Sequence, residues 1–347
     1  MSVQRKLSLL SLATLALAGC SANDENASSS PDETLDIVAT TDVYADVARA
    51  VVGDTEGVEV TSIIASTSQD PHSYEATSND RLTVKDAEVV VLNGGGYDTF
   101  MEEMAGTDNT EQAVVNAVKV SGFVSGDEYA ELLEGHQHGH DHAKEEHSHD
   151  HEDEAHNHAK KGHHHSEDAH DHHDHGSFNE HVWYHFDTMG KVALALADQL
   201  AQVDTENGKT YRENAESFVT EMKQLAVNTE GLNLKGKSFV SSEPVPNYML
   251  TSAGMEDKTP ADYVEAVEAE SDVAPLTLQE IKDEITDGDI HLLAYNEQTE
   301  TNQTGEIRAA AENANVPTVS FTETLPEGKN YVEWMKENLD NLKSAVA

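Results

Sequence analysis

From Leu35 onward, short apolar runs alternate with stretches in which apolar residues return every three to four positions. Continuous runs of four to eight suit buried strands, and the longer spacing suits helices with one buried face. Leu35 to Ala39 is the first such run, and Val43, Val47 and Val51 follow at helical spacing. Val58 to Ile64 alternates and is rich in β-branched residues, so a strand is expected, and Asp80 to Ala87 reads as a helix. Glu88 to Leu92 has the unbroken apolar character of a strand buried on both faces of a parallel sheet. Asn93-Gly94-Gly95-Gly96 ends it in a turn that lacks the GxGxxG spacing of a dinucleotide loop. Val114 to Val120 is expected to be a further strand.

The pattern resumes near Phe178. Val192, Leu196, Leu200 and Val203 mark one amphipathic helix. Tyr211, Ala215, Phe218, Met222 and Leu225 mark a longer one, for which Asp204 or Thr205 is a candidate cap. Then come strands at Ser238 to Ser241, Ile290 to Tyr295 and Val316 to Phe321, and helices at Leu276 to Ile285, Glu300 to Asn313 and Tyr331 to Leu342. Pro317 suits an edge strand. Two runs of β-α units predict an α/β protein of two lobes with parallel sheets, 35–203 and 231–347, joined by a long, rigid linking helix at 204–230. Ligands of such lobes bind beyond the carboxyl ends of the strands, here in the cleft between the lobes.

Two segments stand outside this pattern. Arg5 and Lys6 precede an apolar stretch from Leu7 to Ala18, too short to span a bilayer, that ends in Leu17-Ala18-Gly19-Cys20. The tetrapeptide resembles a bacterial lipobox, which implies removal of residues 1–19, acylation of Cys20 and a membrane anchor without a spanning helix. Residues 20–34 read as a disordered tether. The second segment, 134–177, is mostly His, Asp, Glu, Lys and Gly, with too few apolar residues to offset its ordering entropy. It is expected to be a disordered loop. Sixteen of the 20 histidines lie in it: His136, His138, His140, His142, His147, His149, His151, His156, His158, His163, His164, His165, His170, His172, His173 and His175. Histidine-rich tracts bind Zn²⁺, Cu²⁺ or Ni²⁺ through neutral imidazole, which points to an auxiliary metal-gathering loop. His151-Glu152 is followed by His156, one residue too late for the HExxH of a zinc protease.

With 66 acidic against 21 basic side chains, the net charge of -45 argues against nucleic acid and favours cations. Cys20 is the only cysteine, so a metal site in the folded body must use nitrogen and oxygen. Polar clusters follow the predicted strands: Ser68 to Glu75 with His72, Asn179 to Tyr184 with His181, Ser242-Glu243-Pro244, and Asn296-Glu297-Gln298. Two imidazoles and a carboxylate suit zinc, manganese or iron. His72 as a loop cap and Glu243 as a first-turn acid on a helix dipole are the bland alternatives. His185 and His291 read as structural, and Trp183 as packing beside the site.

These residues carry a resemblance. Asp70-Pro71-His72-Ser73-Tyr74-Glu75 is similar to the first ligand motif of the zinc and manganese solute-binding proteins of ABC importers, the ZnuA-like or cluster A-I family. His181-Val182-Trp183 is similar to the second, although Glu180 stands where Asp-Pro usually precedes this histidine. Thr259 to Val264 and Asp272 to Pro275 resemble further family segments, and the likeness runs from about Leu35 to the C-terminus. It implies Glu243 as third ligand and, by strand register, Asn296 at a fourth position usually held by an acid. Asn296 would then ligate through its amide oxygen, bind a ligand water, or orient Glu243. The resemblance further implies a binding protein rather than an enzyme. It would be a monomer anchored on the outer face of the cytoplasmic membrane, capturing Zn²⁺ (alternatively Mn²⁺) for an ABC permease and its ATPase. A stand-alone extracellular metal buffer is the other alternative, and an open coordination position that activates water has no evident general base here.

Overall fold

The computed structural model describes residues 34–107, 111–125, 129, 178–269, 271–287 and 289–347. Cys20, the tether and all sixteen histidines of the tract lie outside the described residues. Among the described residues no helix is long and apolar enough to cross a membrane.

The first sheet is built from β1 (Leu35–Thr41), β2 (Val58–Ile64), β3 (Val89–Leu92) and β4 (Ala113–Asn116), all parallel, in the order β2-β1-β3-β4. Parallel pairs need crossovers, supplied here by α1 (Asp42–Val52), α2 (Ser78–Asp86) and α3 (Thr99–Met104). A fourth short helix, α4 (Ala117–Ser121), follows β4 at once, so Val114 to Val120 is half strand and half helix. Asn116 makes the switch, its side chain accepting from the Lys119 N–H at 2.9 Å.

The second sheet contains β5 (Ser238–Ser241), β6 (Glu256–Asp257), β7 (Leu292–Tyr295) and β8 (Thr318–Ser320), again parallel, in the order β6-β5-β7-β8. The strand after Pro317 lies at the sheet edge, and the Pro317 carbonyl accepts from Leu293 N at 2.8 Å. Between the sheets in sequence run α5 (Phe186–Val203) and α6 (Gly208–Gly231). Around β5 to β8 stand α7 (Asn247–Ser252), α8 (Ala261–Glu268), α9 (Pro275–Asp287), α10 (Asn302–Ala314) and α11 (Tyr331–Ala345).

Apolar side chains leave each central strand in two directions. Val89 and Val91 of β3 join one core while Val90 and Leu92 join another. In β7, Leu292 and Ala294 share the first core and Leu293 and Tyr295 enter a third. The first core contains residues of both sheets together with α1, α5, α6 and α11, and binds the two halves into one body. Helix α6 spans 24 residues, about 36 Å at 1.5 Å per residue. Its start departs from the expected cap. Asn207 is the capping position but its side chain accepts from no helix N–H; its Nδ2 donates to Asp204 at 2.8 Å, and Asp204 also accepts from Tyr211 Oη at 2.6 Å. Glycine is required at position 208, where a Cβ would meet Ala201 Cβ at 2.9 Å as α5 folds back on α6.

Candidate metal centre

The loop after β2 is turned by Asp70, whose carboxylate accepts from His72 N at 3.0 Å and Ser73 Oγ at 2.9 Å. This sets the His72 ring edge-on against Tyr97, with centroids 4.8 Å apart. Tyr97 follows the glycine turn that ends β3. Buried Asp98 gathers that turn, accepting from Thr40 Oγ1 at 2.6 Å, Asn93 N at 2.8 Å and Gly94 N at 2.7 Å. Gly94 has φ 79°, and a Cβ on it would lie 2.2 Å from Asn116 Nδ2. Its neighbour Gly95 is the meeting point of two segments. Gly95 N donates to Tyr129 Oη at 3.1 Å, and a Cβ on Gly95 would lie 3.3 Å from Phe178 Cε1.

From Phe178 the chain runs directly to the second histidine. The Glu180 carbonyl accepts from Asn93 Nδ2 at 3.0 Å. Asn179 Oδ1 faces both His181 N at 2.9 Å and His181 Nδ1 at 2.8 Å. The Nδ1–H tautomer satisfies that contact and leaves the lone pair on Nε2, which has no hydrogen-bond partner among the described residues. His181 is buried, with its ring centroid 5.8 Å from that of His72. Burial pulls His181 down to about 4, so the imidazole is neutral. Burial also pulls on His72, but Glu323, Glu180, Asp70 and Glu243 outweigh it and hold the group above its ordinary value.

The second sheet brings carboxylates. Glu243, just after β5, accepts from Thr299 Oγ1 and from Asn296 Nδ2, the latter at 2.5 Å. Burial, reinforced by Glu323, pushes its carboxyl up to about 8. Asn296, just after β7, is buried and fully engaged. Its Oδ1 accepts from Gln298 N at 2.9 Å, and its Nδ2 donates to Glu323 Oε1 at 2.7 Å as well as to Glu243. Its oxygen thus faces backbone while its N–H groups face the two carboxylates.

Glu323 was not singled out by sequence reasoning, although it follows β8 as the other candidates follow their strands; the same search applied to the last strand finds Thr322-Glu323-Thr324. It is 1 % exposed. Its Oε2 has no hydrogen-bond partner among the described residues and lies 3.7 Å from His72 Nε2. Burial raises this carboxyl, with His72 acting against it. Glu180 faces the other side of His72, its Oε1 3.9 Å from Nδ1. Ligand atoms of His72, Glu180 and His181 all lie within 4.8 Å of one another.

The halves are also linked directly. Gln298 Nε2 donates to Gln69 O at 2.8 Å, Asn179 Nδ2 to Pro244 O at 2.8 Å, and Tyr248 Oη to Asn179 O at 2.7 Å. The other two described histidines lie apart from this group. His185 Nδ1 accepts from Thr188 N at 3.3 Å at the start of α5, and His291 Nδ1 contacts Ser238 N at 3.3 Å. Trp183 packs 5.1 Å from the His181 ring and 4.7 Å from Tyr97.

One buried and one half-buried imidazole, facing the carboxylates of Glu180, Glu243 and Glu323, form a donor set for a divalent transition metal. The family model "Zinc-uptake complex component A periplasmic" matches residues 37–345. The chain is 22% identical to the manganese ABC transporter substrate-binding lipoprotein scaA of Streptococcus gordonii, covering 99% of this chain and 98% of that protein. It is 21% identical to the high-affinity zinc uptake system protein ZnuA of Bacillus subtilis, covering 96% and 94%. Its fold matches a mutant structure of the laminin-binding adhesin Lmb of Streptococcus agalactiae with a TM-score of 0.63 at 17% identity, covering 90% of this chain and 99% of that one. The matched span takes in both sheets and every residue of the candidate centre, and the chain belongs to the zinc-uptake component A family of metal ABC transporter substrate-binding proteins.

Proposed function

We propose that this chain captures a divalent transition metal outside the cell and delivers it to an ABC permease driven by its ATPase, with Zn²⁺ as the cargo. His72, His181, Glu243 and Glu323 are the ligands, and Asn296 holds the two carboxylates in place through its amide N–H groups. The observation that carries this assignment is the pair of buried atoms without hydrogen-bond partners among the described residues, His181 Nε2 and Glu323 Oε2, both on side chains that neighbour His72. Buried polar atoms are normally paired, and a bound cation would satisfy both. Four ligands are the number zinc prefers.

Cys20 supplies the lipid anchor on the outer face of the cytoplasmic membrane, and the tract at 134–177 gathers metal at low specificity. The protein acts as a monomer without turnover. Two imidazoles and the histidine tract favour zinc. The carboxylates favour manganese, the metal named for scaA, as the second reading. Crystals of the metal-loaded protein should give an anomalous peak at the zinc edge within ligand distance of His72, His181, Glu243 and Glu323. A peak elsewhere, or none with these residues intact, refutes the assignment.

A further inference from the structure

Glu180 is not among the four ligands just proposed, yet it is buried beside two of them, His72 and His181. It is 4 % exposed, one residue before His181, and its backbone carbonyl is held by Asn93 Nδ2 at 3.0 Å. Asn93 is in turn fixed by the Tyr44 hydroxyl and by Asp98. The carboxyl is therefore presented by a rigid turn. Its Oε1 faces His72 Nδ1 at 3.9 Å, and the carboxyl of Glu268, from α8, is close enough to act on it electrostatically. No Lys or Arg pairs with it among the described residues. A buried carboxylate whose partners are two histidines and another acid is costly unless a cation joins them.

Resting on the ligand assignment above, we propose that Glu180 is a further metal ligand that sets selectivity, admitting ions of higher coordination number such as Mn²⁺ alongside Zn²⁺. The argument is one of counting. His72, His181, Glu243 and Glu323 complete the four-coordinate shell that zinc favours, so a fifth donor adds little for zinc. Manganese prefers oxygen donors and six-fold coordination, so an added carboxylate oxygen contributes directly. Here the chain places an oxygen whose distance to both imidazoles is already within reach of a shared ion.

The test compares Glu180→Gln, Glu180→Asp and His181→Ala with the wild-type full-length chain. Zn²⁺ and Mn²⁺ affinities are measured by chelator competition, and bound Mn²⁺ by electron paramagnetic resonance. Glu180→Gln is expected to lower Mn²⁺ affinity about tenfold or more while changing Zn²⁺ affinity by less than about threefold, and to alter the Mn²⁺ spectrum. Glu180→Asp should fall between, and it carries the test by itself should the Gln variant not fold. Loss of both metals in equal proportion, or of neither, overturns the role of Glu180 while His181→Ala still abolishes binding. Tight binding that survives His181→Ala overturns the ligand assignment itself.

Discussion

The two halves of the centre are built from opposite chemistry. The first sheet delivers imidazoles and orients them with acceptors: the Asp70 carboxylate turns the His72 loop, and Asn179 Oδ1 takes the Nδ1–H of His181. The second delivers carboxylates and orients them with donors: Thr299 Oγ1 on Glu243, and Asn296 Nδ2 on both Glu243 and Glu323. In His181 and Glu323 the partner engages one atom, Nδ1 or Oε1, and leaves Nε2 or Oε2 without a hydrogen-bond partner among the described residues. Of the four ligands proposed first, one half supplies the nitrogens and the other the oxygens, and Glu180 would add an oxygen to the imidazole side.

The sharpest way to break this comparison is to remove one donor from each half. His181→Ala and Glu323→Gln should each reduce affinity by more than about a hundredfold, beyond the ten- to hundredfold typical of outer partners, as read by calorimetry. Asn296→Ala leaves both carboxylates in place but unheld, and should cost about tenfold, with Glu243→Gln in the same background adding less than it does alone. Acidity tests the fold in another way. Burial raises Glu243 to about 8, Glu102 to about 7 and Asp42 to about 6, which together outweigh His181, held at about 4, so from about pH 8 toward 5 the metal-free fold binds more protons than the unfolded chain. Its stability should therefore rise as pH falls from about 8 toward 5, which thermal melts will register as a higher Tm. Bound metal needs the deprotonated forms, so the stabilisation it adds should shrink over the same interval. The smallest effect on the tight site is expected from deleting 134–177, which should remove weak binding and leave one strong equivalent in a titration.

Much of this was legible in the chain because strand ends are easy to find. The unbroken apolar run Val89 to Leu92 and the helical spacing around Val43 both appear as expected, and the polar residues after β2, β5 and β7 converge as their positions imply. Short elements were less visible. Helices α7 and α8 and the two-residue β6 are held by tertiary contacts such as Tyr263 Oη on Ser242 O at 2.9 Å, which leave no periodic trace. Asn296 could be placed at the centre from strand register alone, but the direction of its amide depends on Gln298 and Glu323, neither of which register reveals. Glu323 follows the strand expected at Val316 to Phe321, so the signal that marks the other candidates was present for it as well.

The convergence of Tyr129 and Phe178 on Gly95 has a practical result. Tyr129 and Phe178 bracket the histidine tract in sequence, and both reach the same glycine, so the chain re-enters the body beside the point where Tyr129 sits. The span to be closed between those two residues is set by the body, so adding or removing residues between them adds only a slowly growing closure cost and leaves the cleft residues where they are.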